Sequence, residues 1–122
     1  MEKVVMSTLG KTWILDLDGT IVKHNGYKID GKDTLLSGAK EYLDELPKED
    51  RIIFLTSRKA KYREKTLEFL KENEIRYDEI IFDIPYGERI VVNDRKQSGL
   101  DMAISFNLER DKFNLPEITR AL

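Results

Sequence analysis

The chain has 122 residues, of which 40% are hydrophobic and 36% charged, and its 21 basic and 23 acidic side chains leave a net charge of −2. That length suits a single domain with its own core, and the even balance gives no global field toward nucleic acid or a membrane surface. Cysteine is absent, which excludes disulfides and thiolate metal ligands and fits a reducing compartment. The apolar runs fall far short of the roughly 20 residues that a membrane helix needs. The opening MEKVVMSTLGK has no sustained apolar region or cleavage signature, so a cytoplasmic location and no membrane partner are expected.

Short apolar runs alternate with amphipathic stretches, the pattern of βαβ units. The expected fold is α/β: one domain over residues 1–122, with a core over about 10–108 and a tail over 109–122. Its core is a three-layer α/β/α arrangement around a five-stranded, mainly parallel sheet. The first strand is 12–17, TWILDL. After it, IVKHNGYKI (21–29) carries Asn25-Gly26 between alternating residues, which predicts a β-hairpin flap over the strand's carboxyl end. A helix over about 38–46 leads to a strand at 51–56, RIIFLT. The next helix, about 60–73, sets Tyr62, Thr66, Leu67, Phe69 and Leu70 at helical spacing. Strands follow at 78–82, 89–93 (RIVVN) and 102–107 (MAISFN), and their Ile, Val, Leu and Phe content suits cover on both faces. The tail LERDKFNLPEITRAL is expected to hold a short helix starting near Pro116.

Asp16 and Asp18 stand at the end of an otherwise apolar strand. Strand alternation puts both side chains on one side, where like charges repel unless a cation sits between them. Ligands of open α/β sheets bind beyond the carboxyl ends of the strands, and other strand ends deliver polar groups there. These are Gly19 and Thr20, then Thr56, Ser57 and Arg58, then Arg89 before and Asn93, Asp94 and Lys96 after the segment 89–93. The set suits phosphoryl transfer to a carboxylate. Asp16 fits the nucleophile and Asp18 the acid that protonates the leaving oxygen. Gly19, Thr20, Thr56, Ser57, Arg58 and Arg89 fit the donors around the phosphoryl oxygens. A hard cation such as Mg²⁺, with Asp94 as a ligand, offsets the repulsion.

DLDGT, FLTSR and VVNDRK together resemble the motifs of the haloacid dehalogenase (HAD) superfamily, whose DxDGT signature marks its phosphatases. The resemblance covers about residues 10–108. It implies a Rossmannoid core, an aspartyl-phosphate on Asp16, Asp18 as general acid/base, and phosphate binding by Thr56. It also implies Mg²⁺ held by Asp16, the Asp18 backbone carbonyl and Asp94, with Asn93 in the metal shell where many members have Asp. The family's lysine before the last acidic motif is missing from FDIPYGERIVVND; Arg89 is the first substitute and Arg58 the second.

Such chains look like a small HAD subgroup associated with sugar-phosphate and capsule metabolism. The favoured reading is therefore a Mg²⁺-dependent phosphomonoester hydrolase acting on sugar phosphates of surface polysaccharide or related metabolism. The alternatives are a nucleic-acid-end phosphatase and a non-catalytic module that senses phosphate or binds a partner. Positions 19–55 and 57–89 leave no room for a cap domain. The resemblance is thus to capless members, whose open sites take a polymer end or are covered by a second subunit. The expected partner is a small phosphorylated metabolite or a polymer end, with a homo-oligomer as one way of covering the site.

SRKAKYREK (57–65) holds five cations and one acid; a solvated helix face explains it, and so does a polyanion near the second motif. His24 reads as an exposed turn residue. Tyr27 and Tyr86 flank the mouth and either stack on a sugar or base or close the core. No Gly-rich phosphate loop is present, so a kinase has little support.

Overall fold

A computed structural model describes residues 3–121. In chain order the elements are β1 (Lys3–Met6), β2 (Thr12–Asp16), α1 (Gly26–Ile29), α2 (Ala39–Glu45) and β3 (Arg51–Leu55). A 3₁₀ turn (Ala60–Tyr62) then leads into α3 (Arg63–Glu72), followed by β4 (Glu79–Ile81) and β5 (Glu117–Arg120). The protein is α/β with parallel strands, but the strands form two small sheets. One has the order β2-β3-β4 and the other pairs β1 with β5. The expected single five-stranded sheet is not formed among the described residues.

Within the larger sheet the parallel register sets Trp13 beside Ile52 and Leu15 beside Phe54. Side chains of paired residues share a face, and this face is buried against Ala39 and Leu43 of α2 and Leu70 of α3. The opposite face carries Ile14, which is half exposed, and Ile81, also exposed. One helical layer covers one side of the sheet, so the strands alternate in burial instead of being buried on both faces. Leu17, Ile21 and Val22 extend the core beyond the strand end.

Residues 89–93 and 102–107, expected as strands, are irregular and mainly exposed, with Ile90 and Val92 more than four-fifths accessible. β-Branched residues favour a pleated, half-buried surface, yet a strand exists only where an edge accepts its hydrogen bonds. The tail is corrected as well. The segment after Pro116 is a strand, and it pairs in parallel with an N-terminal strand not foreseen in KVVM. Proline suits a helix start but equally the point just before a strand, and Ile118 and Thr119 favour the strand.

The β1-β5 pair is tied to the main sheet at the end remote from Asp16. There the fully buried Asp50 carboxylate accepts hydrogen bonds from the Trp13 indole and the Lys11 N–H, and forms an ion pair with Arg120. Burial works to raise the Asp50 pKa, but the bonds from Arg120, Lys11 and Trp13 outweigh it and hold the group below its usual value. Tyr42 bridges Trp13 and Phe113 by edge-to-face contacts of 5.7 and 5.4 Å, which seats the tail on the core.

Candidate active site

β2 ends in Asp16, and the chain then wraps tightly. The Leu17 carbonyl accepts the N–H groups of Ile21 and Val22, and Gly19 N–H donates to the Val22 carbonyl at 2.7 Å. Gly19 lies at φ +84°, a region that side-chain-bearing residues rarely adopt. The turn leaves Asp16 and Asp18 both facing a cavity of about 590 Å³ that Gly19, Thr20 and Ser57 also line.

A β-hairpin flap was expected next, and the structure corrects it. Asn25 does take the left-handed conformation (φ 56°), but Gly26 starts the four-residue helix α1. The excursion is closed at its base where Val22 bridges Leu35 in antiparallel fashion. It still stands over the strand end, because His24, Asn25, Tyr27 and Lys28 line the cavity. His24 is half-buried rather than an exposed tip.

The two carboxylates are held differently. Thr56 Oγ1 donates to Asp18 Oδ2 at 2.7 Å, while Arg58 Nε and Nη2 donate to Asp18 Oδ1 at 3.0 and 2.9 Å. The Arg58 guanidinium also makes a two-pronged contact with Asp33 (2.9 and 2.6 Å) and donates to Thr66 at 2.8 Å. It lies 3.9 Å from the centroid of the Tyr27 ring, a cation–π geometry. Arg58 is 3% exposed. Burial disfavours its charge, but the bonds it donates to Asp33 and Asp18 outweigh burial and raise its pKa above the ordinary arginine value. Asp16 has looser company. Thr20 Oγ1 donates to Oδ2 at 3.2 Å and Arg89 Nη1 to Oδ1 at 2.8 Å, and both members of that ion pair are about a third exposed. Such pairs contribute about 0–1 kcal/mol, so Arg89 is an exchangeable partner whereas Arg58 is a fixed one.

Asp16, Asp18, Gly19, Thr20, Thr56, Ser57, Arg58 and Arg89 are thus brought together. Asn93 and Asp94 are not. Both are exposed, and the Asn93 amide contacts its neighbour Asp94. Among the described residues no three acidic or histidine side chains converge as a metal site, and no buried side-chain nitrogen or oxygen lacks a partner. Both oxygens of each aspartate already accept bonds from Thr20, Arg89, Thr56 and Arg58. As placed here, Asn93 and Asp94 do not join Asp16 and Asp18 as a Mg²⁺ ligand set.

Several site residues escape sequence reasoning. Asp33, with a side chain 6% exposed, anchors Arg58 from the loop before α2. Leu108 and Arg110 come from the tail and form one wall of the cavity. Asp111 fixes that wall, since its N–H donates to the Gly19 carbonyl (2.8 Å) and its carboxylate accepts from His24 N–H (2.7 Å). Of the two tyrosines, Tyr27 packs edge-to-face on Tyr62 at 4.8 Å, while Tyr86 stands 81% exposed at the mouth.

The fold and the site together define an α/β protein with a paired-carboxylate cavity at the carboxyl end of its parallel strands. No family model matches the chain, and no curated protein matches it significantly. Two solved chains are similar to it. One is a chain of the Pnkp1/Rnl/Hen1 complex, 30% identical over 67% of this protein with a TM-score of 0.53. The other is a chain of the Pnkp1/Rnl/Hen1 RNA repair complex, 29% identical over 69% with a TM-score of 0.54. The matched parts span 31% and 29% of those chains, so this protein corresponds to less than a third of either. No helix among the described residues is long and apolar enough to cross a membrane.

Proposed function

We propose that the chain hydrolyses phosphomonoesters at the ends of nucleic acids, RNA foremost, with Asp16 as nucleophile and Asp18 as acid/base. The observation that carries this reading is the Asp16/Asp18 pair at the mouth of one cavity, with hydroxyl and guanidinium donors from three segments around it. The resemblance to the HAD phosphatases agrees with it. The likeness to chains of an RNA repair complex favours nucleic-acid ends over the sugar phosphates that the sequence suggested. Both matched chains come from multi-component complexes, so a protein partner is part of the proposal.

A terminal phosphate competes for Arg89 and Ser57, since phosphate oxygens match the guanidinium fork. An Asp16 oxygen attacks phosphorus, the bond from phosphorus to the ester oxygen breaks, and the leaving oxygen takes a proton from Asp18, which enters this step protonated. Asp18 then accepts a proton from water, the water oxygen attacks phosphorus, and the bond to Asp16 breaks to release inorganic phosphate. Arg58 and Thr56 fix the orientation of the Asp18 side chain, a pre-organisation that general acid–base steps require.

The test is hydrolysis of a 3′-phosphorylated RNA oligonucleotide, an aryl phosphate and a set of sugar phosphates, with and without Mg²⁺, by wild type and Asp16→Asn. Turnover fastest on the RNA and abolished by the substitution supports the reading. Preference for a sugar phosphate overturns the substrate class. Phosphate binding with no turnover on any substrate overturns the enzyme and leaves the sensing module.

A further inference from the structure

The cavity is lined by two cations besides those that pair with its carboxylates. Its two carboxylates, Asp16 and Asp18, are matched by Arg89 and Arg58. Lys28 and Arg110 line the same space, and among the described residues neither has a carboxylate within ion-pair distance. We infer that Arg110 and Lys28 form a second anion subsite, which takes the phosphodiester adjoining the terminal phosphate of a polynucleotide.

Arg110 is placed, not merely present. The next residue, Asp111, sits at φ +64°, a conformation that costs a non-glycine residue about 1 kcal/mol or more and persists only where neighbours enforce it. The neighbours are the Gly19 carbonyl and the His24 N–H, both part of the turn that carries the aspartates. The Arg110 stem packs on Gly19 so closely that a Cβ there would lie 3.2 Å from its Cγ. Lys28 comes from α1 on the opposite segment and leans over the Tyr27 ring, with its Nζ 5.6 Å from the ring centroid.

A sugar monophosphate offers its one phosphoryl group to Asp16 and has no second phosphate to set between Lys28 and Arg110. A polynucleotide end supplies the reacting phosphate, a diester for the cations and a base for the exposed ring of Tyr86, and stacking on such rings is tolerant of sequence.

The inference rests on the phosphatase reading above, and the experiment separates the two. The probes are an RNA dinucleotide ending in a 3′-phosphate, the same compound with a neutral methylphosphonate linkage, and a sugar bisphosphate. The charged linkage is expected to raise kcat/KM about tenfold over the neutral one, in line with a charge-assisted bond at a partly exposed site. Arg110→Gln combined with Lys28→Gln brings that ratio toward one. Because the ratio compares two substrates on one protein, general damage to the variant cancels. A wild-type ratio near one, a ratio unchanged in the variant, or a bisphosphate preferred to the dinucleotide overturns the inference. Dissociation constants of both dinucleotides for Asp16→Asn provide the second reading. Preference for the charged linkage in binding, without wild-type hydrolysis, supports the subsite while the hydrolase falls. Hydrolysis without preference refutes the subsite alone.

Discussion

Asp33→Ala removes a side chain remote from the reacting atoms, and its cost follows from the burial of Arg58. The Arg58 and Asp33 side chains are 2% and 6% exposed and meet through bonds of 2.9 and 2.6 Å. Removing one partner of a buried pair costs about 3–5 kcal/mol, because the remaining charge stays out of water without compensation. Arg58 keeps Asp18 and Thr66, so the lower end applies, about 3 kcal/mol. With a urea dependence of roughly 1.5 kcal/mol per molar, the unfolding midpoint falls by about 2 M. The same substitution made in an Arg58→Met background costs less than about 1 kcal/mol, since no charge is left to strand. Urea titration by circular dichroism measures all four proteins. A single-variant effect below about 1 kcal/mol, or an equal cost in both backgrounds, refutes the buried clamp.

Three further outcomes are expected. Gly19→Ala forces a side chain into φ +84° with its Cβ 3.2 Å from Arg110 Cγ; it lowers stability by about 1–2 kcal/mol and reduces turnover on aryl phosphate, measured by urea midpoints and initial rates. Asp50 titrates below the ordinary carboxylate value in the folded state, so its contribution is complete above about pH 4 and is lost as pH falls through the folded value. Asp50→Asn therefore lowers stability at pH 7 and flattens its decline toward pH 2, as urea midpoints across that range report. Val92→Asp lies at a position 89% exposed and changes stability by no more than about 0.5 kcal/mol; a loss above 2 kcal/mol in the same titration means that residues 89–93 are a buried strand.

The legible parts of this molecule are those where local sequence and tertiary role agree. β2, β3, β4 and the helices near 39–45 and 63–72 were readable because their apolar spacing matches the face they bury. Asp16 and Asp18 stood out because two carboxylates close an apolar strand on one side, where like charges repel, and Thr56 and Arg58 followed from the neighbouring strand end. Pairing was not legible. RIVVN has the composition of a strand yet no partner edge among the described residues, whereas the plainer EITR finds one in KVVM, more than a hundred residues earlier. Asp33 was hidden for the same reason. It is an ordinary loop aspartate until the fold brings Arg58, 25 positions on, into its fork. Arg110 and Asp111 belong to a tail with no periodicity, and their place beside Gly19 depends on the Asp111 contacts with Gly19 and His24. Asn25-Gly26 shows a partial success, since the left-handed turn formed at Asn25 but a helix continued from it.

The central claim is that Asp16 receives the phosphoryl group from a nucleic-acid end, and rapid acid quench with excess protein tests it most directly. An RNA carrying a radioactive terminal phosphate is mixed with wild type and with Asp16→Asn. A transient protein-bound phosphate is expected that appears before free phosphate, is released by hydroxylamine as an acyl phosphate is, and is absent from the variant. Free phosphate formed at the wild-type rate by Asp16→Asn, or formed by wild type with no protein-bound label at any time, contradicts it.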